Sequence, residues 1–305
     1  MKLIKSCMAV ALAFTLTACA ATEQKAPVKV LTPLGATSLS MLGLYGDDQV
    51  TMDTVDGTDV LSAELSKKDG EYDIIVAPIN MGVTLMSKGN ANYTLSHVVT
   101  WGNLYLVGTS EDALQKDGAF AAFGEKAVPQ KVLEASLDLS LITPEITYYN
   151  SVNEVQAQLL SGKASVGLMA EPAATATIAK AKEQGTKLVI ITDLQDAYKT
   201  KNDMNTTGYP QAALFVKKGS EDKVQSYLKM ASEFANETAV NDTDKVTSQI
   251  ELAGVEKLGI PNAEIATKTW TRQNIHLTKA SEVKSDIETF MKQFNLTMND
   301  EMYTK

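Results

Sequence analysis

Beyond position 19 this 305-residue sequence contains no cysteine, and each further scarcity removes a class of chemistry. With only Cys7 and Cys19 present, the body of the chain has no thiol for a disulfide, a thiolate nucleophile or an iron–sulfur cluster. Two histidines, His97 and His276, are too few for a histidine-rich metal site. They also leave a Ser-His-Asp hydrolase without a well-placed base. No catalytic residue, no metal and no cofactor is therefore expected. Arginine occurs once, at Arg272. The net charge of −9 disfavours nucleic acid, whose phosphates need cations. That acidity is spread along the chain, as on a solvated surface. Walker motifs, sequence repeats and low-complexity tracts are missing as well.

What is present begins with the amino terminus. Lys2 and Lys5 form a positive start, Cys7–Leu16 is mostly apolar, and small residues lead into Leu16-Thr17-Ala18-Cys19. This pattern reads as a secretory signal over residues 1–18. The apolar stretch is shorter than the roughly 20 residues that cross a bilayer as a helix. Its end resembles the lipobox of bacterial lipoproteins. That resemblance implies that Cys19 becomes the first mature residue and carries lipid, palmitate included. The chain would then stand on the extracytoplasmic face of a cell membrane, in the periplasm where an outer membrane is present. Residues 19–27 would be a lipidated tether. Loss of Lys2 and Lys5 with the leader takes the mature net charge to about −11.

Past the tether, strand and helix patterns alternate. Val28-Lys29-Val30-Leu31-Thr32-Pro33 reads as a strand, followed by a helical stretch from Gly35. Val50–Val55 and Tyr72–Pro78 are further strands, each joined to helical spacing at Asp59–Lys68 and from Met81 to Met86. Val98–Trp101 and Leu104–Gly108 are strand-like around Gly102-Asn103. A second unit repeats the pattern, with strands at Ala119–Phe123, Ile146–Tyr149, Ala164–Met169 and Lys187–Thr192. Its helices run from Pro129, from Val152 and through Ala181. Pro129 suits the first turn of a helix. Gln211–Val216 is again a strand, and from Glu221 onward the pattern is mainly helical. The fold class expected is α/β, with two lobes of mainly parallel sheet flanked by helices. Lobe I would comprise 28–108 and 213–305, and lobe II 109–212, with hinges near Val107–Ser110 and Tyr209–Leu214.

Three motifs carry a resemblance beyond the lipobox. They are Leu31-Thr32-Pro33-Leu34-Gly35-Ala36-Thr37-Ser38, Asp73-Ile74-Ile75-Val76-Ala77-Pro78-Ile79-Asn80 and the stretch Gly162–Pro172, which ends Gly167-Leu168-Met169-Ala170-Glu171-Pro172. Together they are similar to the substrate-binding lipoproteins of ABC importers, of the type II periplasmic-binding fold. The likeness is to the branch that groups nitrate, sulfonate and taurine binders with binders of thiamine-pyrimidine precursors. The resemblance implies a ligand held in a cleft between the lobes, at strand ends and helix starts where backbone amides are free. It implies a monomer that delivers its ligand to a permease driven by an ATPase.

The positions that match are Thr37, Ser38, Asn80, Trp101 and Asn103 in the first lobe, and Gly124, Asn150 and Glu171 in the second. Tyr209, with Pro210 and Gln211, would close the mouth. Several have a plainer alternative. Thr37 and Ser38 are either helix caps or ligand contacts. Trp101 is a pocket wall or core. Gly124 is a contact or a turn residue. Glu171 meets the ligand, closes the lobes, or merely sits at a helix start favoured by the dipole. His97 reads as structural, His276 as remote from the cleft, and Arg272 as lying elsewhere. Without a pocket arginine, and with Trp101, Tyr209 and Glu171 in place, a nitrogenous heterocycle or amine fits better than an oxyanion. A sulfonate- or nitrate-type oxyanion is the alternative ligand, and a sensor or adhesin without transport the alternative role. A pyrimidine-synthesising enzyme of the same fold would need a cysteine-rich segment that is missing here.

Overall fold

A computed structural model of the chain describes residues 26–204 and 208–305. Cys19 and the leader lie outside the described residues. Among the described residues eleven strands fall into two sheets: β1 (Val28–Pro33), β2 (Val50–Val55), β3 (Ile74–Pro78), β4 (Tyr93–Thr100), β5 (Leu104–Gly108), β6 (Ala119–Phe123), β7 (Glu145–Tyr149), β8 (Val166–Ala170), β9 (Val189–Asp193), β10 (Ala212–Lys217) and β11 (Ile275–Lys279). The first sheet has the order β11-β4-β10-β3-β1-β2, and the second β7-β6-β8-β5-β9. Helices cover both faces of the first sheet, so β3 and β4 are buried along nearly their whole length. That is why β3 reads as an unbroken apolar run, whereas β4 carries Thr94, Ser96 and His97 among its apolar residues and is still buried throughout.

The two-lobed α/β expectation holds, but the sheets are mixed. Four of the nine strand pairings are parallel and five antiparallel. Every antiparallel pairing involves β5, β10 or β11. β5 and β10 are the strands that follow a passage between sheets, and each enters its sheet against the prevailing direction. β5 was expected with the first lobe, yet it pairs with β8 and β9 in the second sheet. The chain therefore crosses at Trp101-Gly102-Asn103, not at Val107–Ser110. It returns through Gly208–Gln211.

β11 is the one strand the sequence reading missed, in a region expected to be helical. Ile275-His276-Leu277-Thr278-Lys279 does alternate apolar and polar residues, with Ile275 and Leu277 buried. It pairs with β4, with Ile275 opposite Thr100.

The two crossings are hydrogen-bonded to each other. The Trp101 carbonyl accepts from Tyr209 N–H at 3.0 Å and from the Asn274 side-chain amide at 2.8 Å. Trp101 N–H donates to Asn274 O, and Gln211 N–H to Thr100 O, each at 3.0 Å. Apolar packing continues across the junction. Tyr209 stacks on Phe290 at 5.4 Å and lies 5.2 Å from Tyr198, so the C-terminal helix Lys284–Lys292 covers the return crossing. One hydrophobic cluster thus runs from Leu31 and Ile75 in the first sheet to Leu106 and Leu168 in the second.

Gly208 makes this approach possible. Its φ is 95°, and a β-carbon there would lie 1.8 Å from the Trp101 carbonyl oxygen. Gly208→Ala must therefore part the two crossings, at a cost of at least about 3 kcal/mol. The midpoint of urea unfolding measures it. A loss below about 1 kcal/mol would mean that the crossings are not in contact as described.

Candidate functional site

The carboxyl ends of β3 and β4 and the amino end of β10 meet at one edge of the first sheet. Ala212 pairs with both Pro78 and Thr100. The carboxyl end of β8 reaches the same junction from the other sheet, because Ala170 pairs with Leu104. Glu171 N–H donates to Asn103 O at 2.9 Å, and the Asn103 amide nitrogen returns a bond to Glu171 O at 2.8 Å.

The expected site residues divide on this geometry. Ser38 is fully buried, and its hydroxyl donates to Leu258 O at 2.7 Å and to Gly35 O at 2.8 Å, so it ties two segments together. Asn103 is buried and engaged on both sides of its amide, by Glu171 and by Gln211. Tyr209 is fully buried, with its hydroxyl on Gln195 Oε1 at 3.2 Å. These three hold the frame. Gly124 has a φ of 75°, and a β-carbon would meet Pro129 at 2.6 Å, which is the requirement of a turn. Asn150 is exposed; its N–H donates to Glu154, while Ser151 caps the helix Val152–Leu160. Thr37 is partly exposed, its hydroxyl turned back to Pro33 O at 2.8 Å. Asn80 lies in the first turn of the helix Ile79–Ser87. Trp101 is buried, and His276 stacks on it with planes 6° apart and centroids 5.2 Å apart.

Two expectations are corrected here. His276 is not remote from the junction, and Arg272 does not lie elsewhere. Arg272 Nε donates to Glu171 Oε1 at 2.9 Å, and its Nη2 to Thr175 Oγ1. Tyr105, on β5, donates to Arg272 O at 2.9 Å. Both residues follow from β11, whose start the pairing with β4 brings to the crossing. Glu171 Oε1 and Oε2 also accept from the Thr175 hydroxyl and N–H, at 2.7 and 3.1 Å, which caps the helix Ala173–Glu183. Glu171 thus serves both as a helix-start carboxylate and as one half of an ion pair between the sheets.

Two lysines close to Gly124 in the sequence also lie beside carboxylates. Lys131 lies 3.1 Å from Glu134, and Lys126 4.0 Å from Glu125. Burial pushes the His276 and His97 imidazoles down to about 4, with the charge of Lys279 adding to the effect at His97. His97 Nδ1 meets Ser96 Oγ at 2.9 Å on the buried strand β4.

Among the described residues ten side-chain polar atoms are buried without a hydrogen-bond partner, and four of them belong to residues at the junction: Asn80 Oδ1, Thr100 Oγ1, Trp101 Nε1 and Gln211 Oε1. An unpaired buried group costs about 1–3 kcal/mol. Gln211 belongs to the segment expected to close the mouth, whereas Thr100 is not among the expected contacts; threonine at the end of a buried strand has no local signature. Two surface depressions lie on outer faces, one lined by Ile178, Lys182 and Lys187, the other by Thr243, Thr247 and Thr267, and neither includes these residues. Among the described residues, no group of three or more His, Cys, Asp or Glu could hold a metal ion, and no helix is long and apolar enough to cross a membrane.

The ion pair makes an asymmetric prediction. The Glu171 side chain is 0% exposed and that of Arg272 43%. Arg272→Ala leaves a covered carboxylate short of its counter-charge and should cost about 2 kcal/mol, whereas Glu171→Gln should cost under about 1 kcal/mol. Urea unfolding of the two variants measures the difference. Equal losses would contradict a buried carboxylate at this position.

No protein-family model matches the sequence, and neither does any curated protein. Solved structures do match. An ABC transporter protein from Parabacteroides distasonis aligns with a TM-score of 0.77 at 20% identity, over 92% of this chain and 99% of that one. The ligand-binding component of an ABC-type import system from Staphylococcus aureus, with zinc bound, gives 0.61 at 15% identity, over 92% and 97%. The periplasmic aliphatic sulphonate binding protein of Escherichia coli gives 0.58 at 14% identity, over 90% of each chain. A desulfurization enzyme also matches, at 0.54 and 13% identity, over 90% and 95%. At these identities the likeness is one of fold, and the chain has the two-lobed α/β periplasmic-binding fold that substrate-binding proteins of ABC transporters share.

Proposed function

We propose that this chain is the solute-binding component of an ABC importer. It captures a small polar ligand between its lobes and presents it to a membrane permease driven by an ATPase. The observation that carries this reading is the convergence of strand ends from both sheets on one hydrogen-bonded double crossing. Ligands of open α/β folds bind at such strand ends. On this reading Cys19 bears lipid and residues 20–27 tether a monomer to the extracytoplasmic face. Thr37, Asn80 and Trp101 face the ligand from lobe I, and Gly124, Asn150 and Glu171 border it from lobe II.

The heterocycle preference now has a different footing. The stacked His276, the packing of Phe290 on Tyr209 and the pairing of Glu171 with Arg272 weaken the case for an aromatic box around a cationic amine. The free donors and acceptors of the junction favour a nitrogenous heterocycle instead. The enzymatic reading finds little support, since His97 contacts only a buried serine hydroxyl and His276 packs against an indole.

A thermal-shift screen of aminopyrimidine thiamine precursors, nucleobases, amines, sulfonates and nitrate tests this function. A true ligand at a hundredfold excess over its Kd adds about 2.7 kcal/mol to native-state stability and raises Tm accordingly. The expected result is a rise with one heterocyclic class. A rise confined to sulfonates or nitrate would overturn the heterocycle assignment, and no rise across the panel would contradict solute capture of this kind.

A further inference from the structure

We infer that Asn80, Thr100, Trp101 and Gln211 are the recognition set of the site, and that they select an uncharged solute carrying both a hydrogen-bond donor and an acceptor. The inference rests on the solute-binding reading and specifies its ligand. Buried polar groups in native proteins are nearly always paired, so unpaired ones on neighbouring strand ends call for a partner. These four sit on the ends of three adjacent strands. Ala212 pairs with Pro78 and with Thr100, Ile79 N–H donates to Gln211 O at 3.1 Å, and Gln211 N–H donates to Thr100 O at 3.0 Å. Thr100 is fully buried and Trp101 1% exposed.

The direction of each bond can be worked out from its neighbour. The Glu171 main-chain oxygen can only accept, so the Asn103 group facing it at 2.8 Å is the NH2. Asn103 Oδ1 is then an acceptor and fixes the Gln211 NH2 toward itself, at 3.0 Å. Gln211 Oε1 is left as an acceptor that cannot be exchanged for a donor without breaking this chain. The Trp101 indole, by contrast, can only donate. A ligand satisfying both must offer an N–H or O–H to Gln211 and an acceptor to Trp101. An amide, a urea or the edge of a nitrogen heterocycle does so. Nitrate and sulfonate carry acceptors alone and leave Gln211 Oε1 unmet.

Charge points the same way. The four groups are neutral, and the arginine and the glutamate brought to the junction, Arg272 and Glu171, are engaged with each other. An ion entering the site would find no uncommitted counter-charge among these residues, and burying it unpaired is unfavourable.

The test separates this claim from the broader one, because one arm needs no ligand. If the Thr100 hydroxyl is unpaired within the protein, Thr100→Val should leave the Tm of the ligand-free chain unchanged or raised. A fall of several degrees would reveal an internal partner and overturn the assignment. In the second arm, nicotinamide, cytosine and uracil are compared with methanesulfonate and nitrate by thermal shift. The expected result is a response to neutral probes, with the midpoint concentration at least tenfold higher in Thr100→Val and in Gln211→Met. A response to the anions alone would overturn the uncharged-ligand claim and leave solute capture standing. Failure of solute capture itself would appear as silence from the wild-type chain across the wider panel, whatever Thr100→Val does to the ligand-free Tm.

Discussion

The main-chain carbonyl of Trp101 is the point on which the two lobes depend. It receives the Tyr209 N–H and the Asn274 side chain together, and so binds the outgoing crossing, the returning crossing and the approach to β11 in one place. Only a residue without a β-carbon could stand at Gly208 beside it. The bonds at the crossing pair Thr100 O, both backbone groups of Trp101 and the N–H groups of Tyr209 and Gln211 in an apolar setting among Trp101, Tyr209 and Phe290. Strand ends from both sheets meet around them.

From that constraint follows the character of the site. Glu171, at the end of β8, is drawn against the crossing by Asn103 and faces Arg272 from the other lobe. The chain's single arginine is thus used to match the two lobes rather than left free. Around it the unpaired groups are an indole N–H, a hydroxyl and two amide oxygens. Such groups discriminate by geometry and by the sense of each hydrogen bond, not by charge. A site built this way rejects ligands that cannot supply the missing partner, since the unmet group then costs free energy in the complex.

Much of the fold was legible from the chain alone. The apolar runs of β3 and β8 and the alternation that follows them gave the two α/β units, and Pro129 marked a helix start. What local pattern could not supply was the pairing. β5 looks like a continuation of the first unit because Leu104–Gly108 follows β4 after only three residues; its place in the second sheet is set by β8 and β9. β11 was hidden among helices, and with it the approach of Arg272 and His276 to the crossing. Ser38, Asn103 and Tyr209 have the residue types of a pocket, yet their polar atoms bond to segments as distant as Leu258 and Gln195. Nothing within a few residues of each could have indicated those partners.

On the proposed reading, the ends of β3, β4 and β10 form a recognition site for a small neutral solute. Native mass spectrometry of the chain tests it most directly, after unfolding and refolding to strip any bound molecule and exposure to a small-molecule extract of rich medium. The expected result is one small, uncharged adduct on the wild-type chain that is lost from Gln211→Met. An adduct held equally by that variant, or no adduct on the wild-type chain, would contradict it.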